Sequence, residues 1–137
     1  MIQANVDLNS GSEADVYFRM KDRANGYRIR LDSGGNITLQ TVVAGNVSDV
    51  SSTTYTGTDV ALKIKVSGTS IKAWVDGTLE ISSTDNTFGA GGVAFGGEKP
   101  KIDNLKIGYD DTGSRILART AVGRHGAHLL FAIAITR

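Results

Sequence analysis

Glu13, Glu80 and Glu98 are the only glutamates in the chain, and each stands alone. Hydrolysis of a glycosidic bond needs two carboxyl groups flanking it, one as acid and one as base or nucleophile. Three isolated glutamates do not supply that pair. His125 and His128 are the only histidines. Their i, i+3 spacing would suit two metal ligands, but no acid or thiol stands near them in sequence to complete a site. No serine occupies a Gly-x-Ser-x-Gly elbow, and no phosphate-binding loop is present. These residues point away from an enzyme, and none is assigned a catalytic role. What remains is Trp74, the single tryptophan, in the stretch "SIKAWVDGTLEI" from Ser70 to Ile81. On an extended strand Ile71, Ala73 and Val75 share one side and Lys72, Trp74 and Asp76 the other. With the apolar set turned inward, the indole points outward beside a lysine.

The elements that must hold these residues read as short strands. "ADVYFRM" sets Val16, Phe18 and Met20 against Tyr17 and Arg19, and "YRIRL" sets Tyr27, Ile29 and Leu31 against Arg28 and Arg30. "VALKIKVSG" alternates most clearly, with Leu62, Ile64 and Val66 inward and Lys63 and Lys65 outward. Asp32-Ser33-Gly34-Gly35-Asn36 and Asp76-Gly77 are strong turn signals. Residues 44–59 are rich in Ser, Thr and Gly with little periodicity, and read as a long connection with a short edge strand near Tyr55. Seventeen glycines against one proline, together with abundant Thr, Ser, Val and Ile, suit many strands joined by tight turns. Six to nine strands at roughly ten-residue spacing and no convincing helix predict an all-β fold, an antiparallel β-sandwich.

The net charge of +1 provides no overall drive toward nucleic acid or a membrane. It is unevenly spread, because all 14 acidic residues lie in residues 1–113. Residues 114–137 carry four arginines and no acid and end in the apolar run Leu129 to Ile135, which is shorter than the roughly 20 residues a membrane span requires. Two parts are therefore read: a β-sandwich domain over 1–113 and an atypical C-terminal extension over 114–137. An exposed run of this kind would invite aggregation, so the extension is expected to be covered.

In order along the chain, Phe18-Arg19, Gly26-Tyr27, Val66-Ser67-Gly68, Val75-Asp76-Gly77, Thr84-Asp85 and the closing Asp103-Asn104 form a familiar series. Over roughly residues 5–109 the sequence resembles the concanavalin A-like lectin/glucanase superfamily, in particular its laminin-G-like and sugar-hydrolase-associated jelly rolls. The resemblance implies a jelly roll from a secreted or extracellular parent protein. The superfamily hosts lectins, adhesive modules and hydrolases alike, so fold does not decide function. Its glucanases carry a Glu-x-Asp-x-x-Glu run that this sequence lacks. Its binding modules often hold a structural Ca²⁺ through carboxylates and carbonyls, and the resemblance nominates Asp103 as a ligand. The competing reading is that Asp103 and Asn104 hydrogen-bond the backbone of a turn.

Relatives usually begin with one or two further strands before the segment matched by "IQANVDL". A jelly roll short of a strand exposes a sheet edge. The extension would then serve as an added strand, in its own subunit or exchanged with a second copy to make a homo-oligomer. In such a fold Tyr17, Arg19, Arg28, Arg30, Lys63, Lys65, Lys72 and Trp74 are expected to line one concave sheet. An aromatic plate can stack on a sugar ring, and cations can pair with carboxylates or sulfates. The function expected is a non-catalytic, lectin-like carbohydrate-binding module with a preference for acidic polysaccharide. The alternatives are a structural or self-associating β-sandwich fragment without ligand, completed by a foreign C-terminal strand, and charged side chains that only keep an outer sheet face soluble.

Overall fold

Ile2, Ala4 and Val6 are buried while Gln3, Asn5 and Asp7 are more exposed, and the same two-residue beat runs through most of the chain. An extended backbone with one face on a core requires that beat. The computed structural model describes residues 1–8, 13–98, 101–108, 115–117, 121–122 and 131–133. Strand β1 (Ile2–Asp7) lies in one sheet. The chain then crosses to a second sheet and runs through the meander β2 (Glu13–Asp22), β3 (Asn25–Asp32), β4 (Asn36–Val43) and β5 (Asn46–Thr54). It returns for a second meander, β6 (Asp59–Ser67), β7 (Ser70–Val75) and β8 (Thr78–Thr84). Two further crossings place β9 (Gly92–Glu98) beside β2 and β10 (Lys101–Gly108) beside β1.

Three short strands follow: β11 (Arg115–Leu117) and β12 (Ala121–Val122) pair with β10, and β13 (Phe131–Ile133) pairs with β9. The seven-stranded sheet has the order β11-β10-β1-β6-β7-β8 with β12 also on β10, and the six-stranded sheet the order β13-β9-β2-β3-β4-β5. Every strand pair is antiparallel. The architecture is the antiparallel β-sandwich expected from the sequence. Among the described residues no helix is long and apolar enough to cross a membrane. His125 and His128, and most of the 114–137 extension, lie outside the described residues.

The inward sets meet in one core. Leu62, Ile64, Ile71 and Val75 from the second meander pack into the same buried cluster as Phe18, Tyr27, Ile29, Leu31 and Phe95 from the other sheet, with Val66 partly buried against it. Residues 44–59 differ from the expected long connection. Ala44 and Gly45, at φ 50° and 81°, make the tight turn of a β4–β5 hairpin, and β5 then runs for nine residues. As an edge strand with both faces largely exposed it needs no alternation, and only Val50 reaches the core. Periodicity was silent there because burial was absent.

A buried hydroxyl ties the six-stranded sheet to the β8–β9 connection. The Tyr27 ring is fully buried, stacked on Phe18 at 5.4 Å and edge-on to Phe88 at 5.4 Å. Its hydroxyl donates to Asp85 Oδ1 at 2.6 Å and accepts the Phe88 N–H at 3.1 Å, while the Thr87 N–H also donates to Asp85 Oδ1 at 2.9 Å. Burial, reinforced by Asp85, raises the Tyr27 pKa and keeps the phenol a donor. Burial pushes the Asp85 pKa up, but the hydrogen bonds from Thr87 and Tyr27 outweigh it and the net shift is downward. A carboxylate with a lowered folded-state pKa contributes stability that is complete above its unfolded value, and that contribution is lost as pH falls through the folded-state pKa. Tyr27→Phe is expected to cost about 1–2 kcal/mol at neutral pH, because it leaves the buried Phe88 N–H without its acceptor and takes from Asp85 one of its donors, Thr87 remaining. Asp85→Asn is expected to remove part of the stability loss that the parent protein shows below about pH 4. Urea midpoints measured from pH 7 down to pH 3 check both. Equal acid sensitivity in the parent and Asp85→Asn would exclude this role for Asp85.

Candidate functional site

The outward residues of five strands line up across the seven-stranded sheet. In register order they are Lys106 on β10, Gln3 on β1, Lys63 on β6, Trp74 on β7 and Leu79 on β8. Trp74 is half-buried, and the Lys63 ammonium lies 4.8 Å from the centre of its ring, within cation–π distance. One step along the strands Asn5 faces Asp103 on β10 and Ala61 on β6. The small Ala61 side chain leaves a dip beside the larger Lys63 and Trp74. A β-bulge at Asn104, with φ 51°, adds one residue to β10 opposite β1, so that Asn104 is exposed beside Asp103. The result is an open groove of about 570 Å³ whose walls include Gln3, Asn5, Lys63, Trp74, Asn104 and Lys106. That volume is in the range of small-ligand clefts.

The tight turn at Asp76-Gly77, with φ 50° and 83°, closes one side of the groove. Asp76 is fastened to β6 in both directions, its N–H donating to the Ala61 carbonyl and its Oδ1 accepting the Ala61 N–H, each at 2.8 Å. Past Asn5 the surface changes sign. A smaller dip of about 130 Å³ is lined by Asn5, Asp7, Asp59 and Asp103. One groove face therefore runs from ammonium groups, through amides and an indole, to carboxylates.

The expected single platform is not what the topology makes. Tyr17, Arg28 and Arg30 lie on β2 and β3 of the six-stranded sheet, whereas Lys63, Lys65, Lys72 and Trp74 lie on β6 and β7 of the seven-stranded sheet. The two groups face outward on opposite sides of the sandwich. Lys65 and Lys72 oppose each other on β6 and β7 but are not among the residues lining the groove. Arg19 belongs to neither face. It sits at φ 49° where the β2 register shifts, and its guanidinium donates to the carbonyls of Gly68 at 2.7 Å and Phe88 at 3.1 Å, so it ties the two sheets together at one end.

On the six-stranded sheet the polar groups satisfy one another. Arg28 Cζ lies 5.9 Å from the Tyr17 ring centre, and its Nε donates to Gln40 Oε1 at 2.5 Å. Gln40 Nε2 in turn donates to Asp49 Oδ1 at 2.8 Å. Arg30 makes two hydrogen bonds to Asp15, at 2.6 and 2.8 Å, and an ion pair to Glu13 at 3.1 Å. The chemistry on this face is already spent on the fold.

Asp103, the nominated calcium ligand, accepts the N–H of Asn104 at 3.2 Å across the bulge. Among the described residues no three His, Cys, Asp or Glu side chains are arranged to hold a metal ion. Asp103 also lines the small dip with Asn5, Asp7 and Asp59. Gln3, Asn5, Asn104 and Lys106 were not anticipated as wall residues. The alternation of "IQANVD" shows that Gln3 and Asn5 face outward, but nothing local to it brings β10 or β6 alongside.

No protein-family model matches the chain, and no curated protein matches it. A solved structure described as carbohydrate-binding module CBM66 from Bacillus subtilis is similar, with a TM-score of 0.65 and 18% sequence identity over 87% of this chain and 71% of that chain. At that identity the likeness is one of fold.

Proposed function

We propose that this protein is a non-catalytic carbohydrate-binding module whose ligand lies in the groove beside Trp74. The observation that carries the proposal is a half-buried indole turned outward into a groove whose other walls are amides and ammonium groups. An indole is a flat apolar plate on which the C–H face of a pyranose can rest. Gln3, Asn5 and Asn104 each carry a donor and an acceptor on one amide, which suits adjacent hydroxyls of a sugar. Lys63 and Lys106 would pair with a carboxylate or sulfate. The carboxylates of Asp7, Asp59 and Asp103 beyond Asn5 would repel a charge at that end. The ligand class favoured is a glycan with its acidic group at the Lys63–Lys106 end. The solved neighbour, itself named as a carbohydrate-binding module, supports the reading, which also implies a protein that works outside the cell.

Because Trp74 is the only tryptophan, its fluorescence reports on this groove alone. Titration with neutral and uronic-acid oligosaccharides is expected to shift its emission. Trp74→Ala is expected to weaken binding, followed by calorimetry, by about tenfold or more, the worth of one stacked aromatic contact. An unshifted parent spectrum across the panel, or a Trp74→Ala variant that binds like the parent, would end this reading.

A further inference from the structure

We infer that Lys63 is a charge-sensitive gate on Trp74: its ammonium covers the indole face that a sugar ring would use, and an anionic group on the sugar draws it away. This rests on the groove being a carbohydrate site. Lys63 and Trp74 are direct cross-strand neighbours, and both line the groove. The other groove strands, β1 and β10, lie beyond Lys63, so a ligand reaching from them toward the indole passes this ammonium. On the other flank Trp74 is opposed by Leu79 of the edge strand β8. Among the described residues no carboxylate pairs with Lys63, and its ammonium rests against the ring.

An exposed cation–π contact is a weak hold compared with a charge-assisted hydrogen bond between ammonium and carboxylate. The lysine stem is flexible enough to swing between the two. A sugar with a carboxylate or sulfate near Lys63 would therefore exchange the weaker contact for the stronger and uncover the plate on which its ring stacks. A neutral sugar would have to displace the ammonium without offering it a counter-charge. Charge recognition and stacking would then be a single event, which separates acidic from neutral glycans more sharply than a lysine on the rim.

Lys106 provides the comparison. It faces the same groove but lies opposite Gln3, with two strands, β1 and β6, between it and Trp74. The experiment measures the affinity of a neutral glucose oligomer and a uronic-acid oligomer of equal length for the parent, Lys63→Ala, Lys106→Ala and Trp74→Ala proteins. Lys63→Ala is expected to bind the neutral oligomer about twofold to fivefold more tightly, the equivalent of one exposed cation–π contact. It should bind the acidic oligomer about tenfold more weakly and with a shallower salt dependence, Lys106 keeping the remainder. Lys106→Ala should weaken the acidic oligomer with no gain for the neutral one. A Lys63→Ala protein that binds both oligomers as the parent does, or both more weakly, would overturn the gate, since Lys63 would then be a bystander or an ordinary contact. If Trp74→Ala still weakens both in that case, the carbohydrate site stands and only the gate falls. If the parent binds neither oligomer, or Trp74→Ala binds both unchanged, the site and the gate fall together.

Discussion

Replacing Arg30 with methionine is expected to lower the unfolding free energy by about 3 kcal/mol. The Asp15 side chain has 0% exposure and sits on β2 between Arg30 on β3 and Gly96 on β9. Two parallel hydrogen bonds from Nε and Nη2 of Arg30 hold both of its oxygens, and Glu13 shares the same guanidinium. The hydrogen bonds that Arg30 donates to Asp15 raise its pKa against the opposing effect of burial, so the cation is retained. Methionine keeps the length of the stem and removes the fork, leaving a buried carboxylate with no cation. Breaking a buried pair costs roughly 3–5 kcal/mol, and the 27% exposure of the Arg30 side chain places this one at the lower end. The thermal midpoint should fall by about 10 °C. The double variant Asp15→Leu/Arg30→Met should recover most of the loss, because the penalty comes from the stranded charge and not from the missing attraction. A single variant that loses under about 1 kcal/mol, or a double variant as unstable as the single, would show that Asp15 has another partner or access to water.

Gly97→Ala is expected to be as damaging or worse, at about 4 kcal/mol, from the sum of backbone strain and overpacking. Gly97 has φ 127° on β9, a conformation that L side chains rarely adopt. A methyl group there would lie 2.4 Å from the Glu13 carbonyl oxygen and 2.9 Å from the Ala14 Cα, both backbone atoms of the paired strand β2. No flexible side chain can yield, so β9 must move off β2 or its register must change. Gly68→Ala is the matched control. It too has a positive φ, 58°, but a methyl would meet nothing within 4 Å, so only conformational strain of about 1 kcal/mol is expected. Chemical denaturation of the two variants should separate them by about 3 kcal/mol. Equal losses would mean that conformation alone, and not the close approach of β2, requires glycine at this position.

The inward and outward sides of nearly every strand were legible in the sequence. Ile71, Ala73 and Val75 face the core and Trp74 the groove, as their alternation requires. The Asp76-Gly77 turn was equally plain, since left-handed backbone at two successive positions favours that dipeptide. The β5 strand was not, because an edge strand exposed on both faces imposes no pattern on its residues. Arg19 was misread for a different reason. A register shift in β2 puts it in a left-handed conformation and breaks the alternation that would have turned it outward beside Tyr17.

Which sheet each strand enters was beyond any local pattern, and that is why Tyr17, Arg28 and Arg30 parted from Lys63, Lys65, Lys72 and Trp74. Side-chain alternation is a property of the extended backbone itself, set by bond geometry within a few residues, so sequence alone determines what each strand buries. Membership in a sheet is decided by hydrogen bonds to strands far away in the chain and by closure of a common core. Only the tertiary structure could bring β10 and β6 to either side of β1, and with them the amides and lysines that surround the indole.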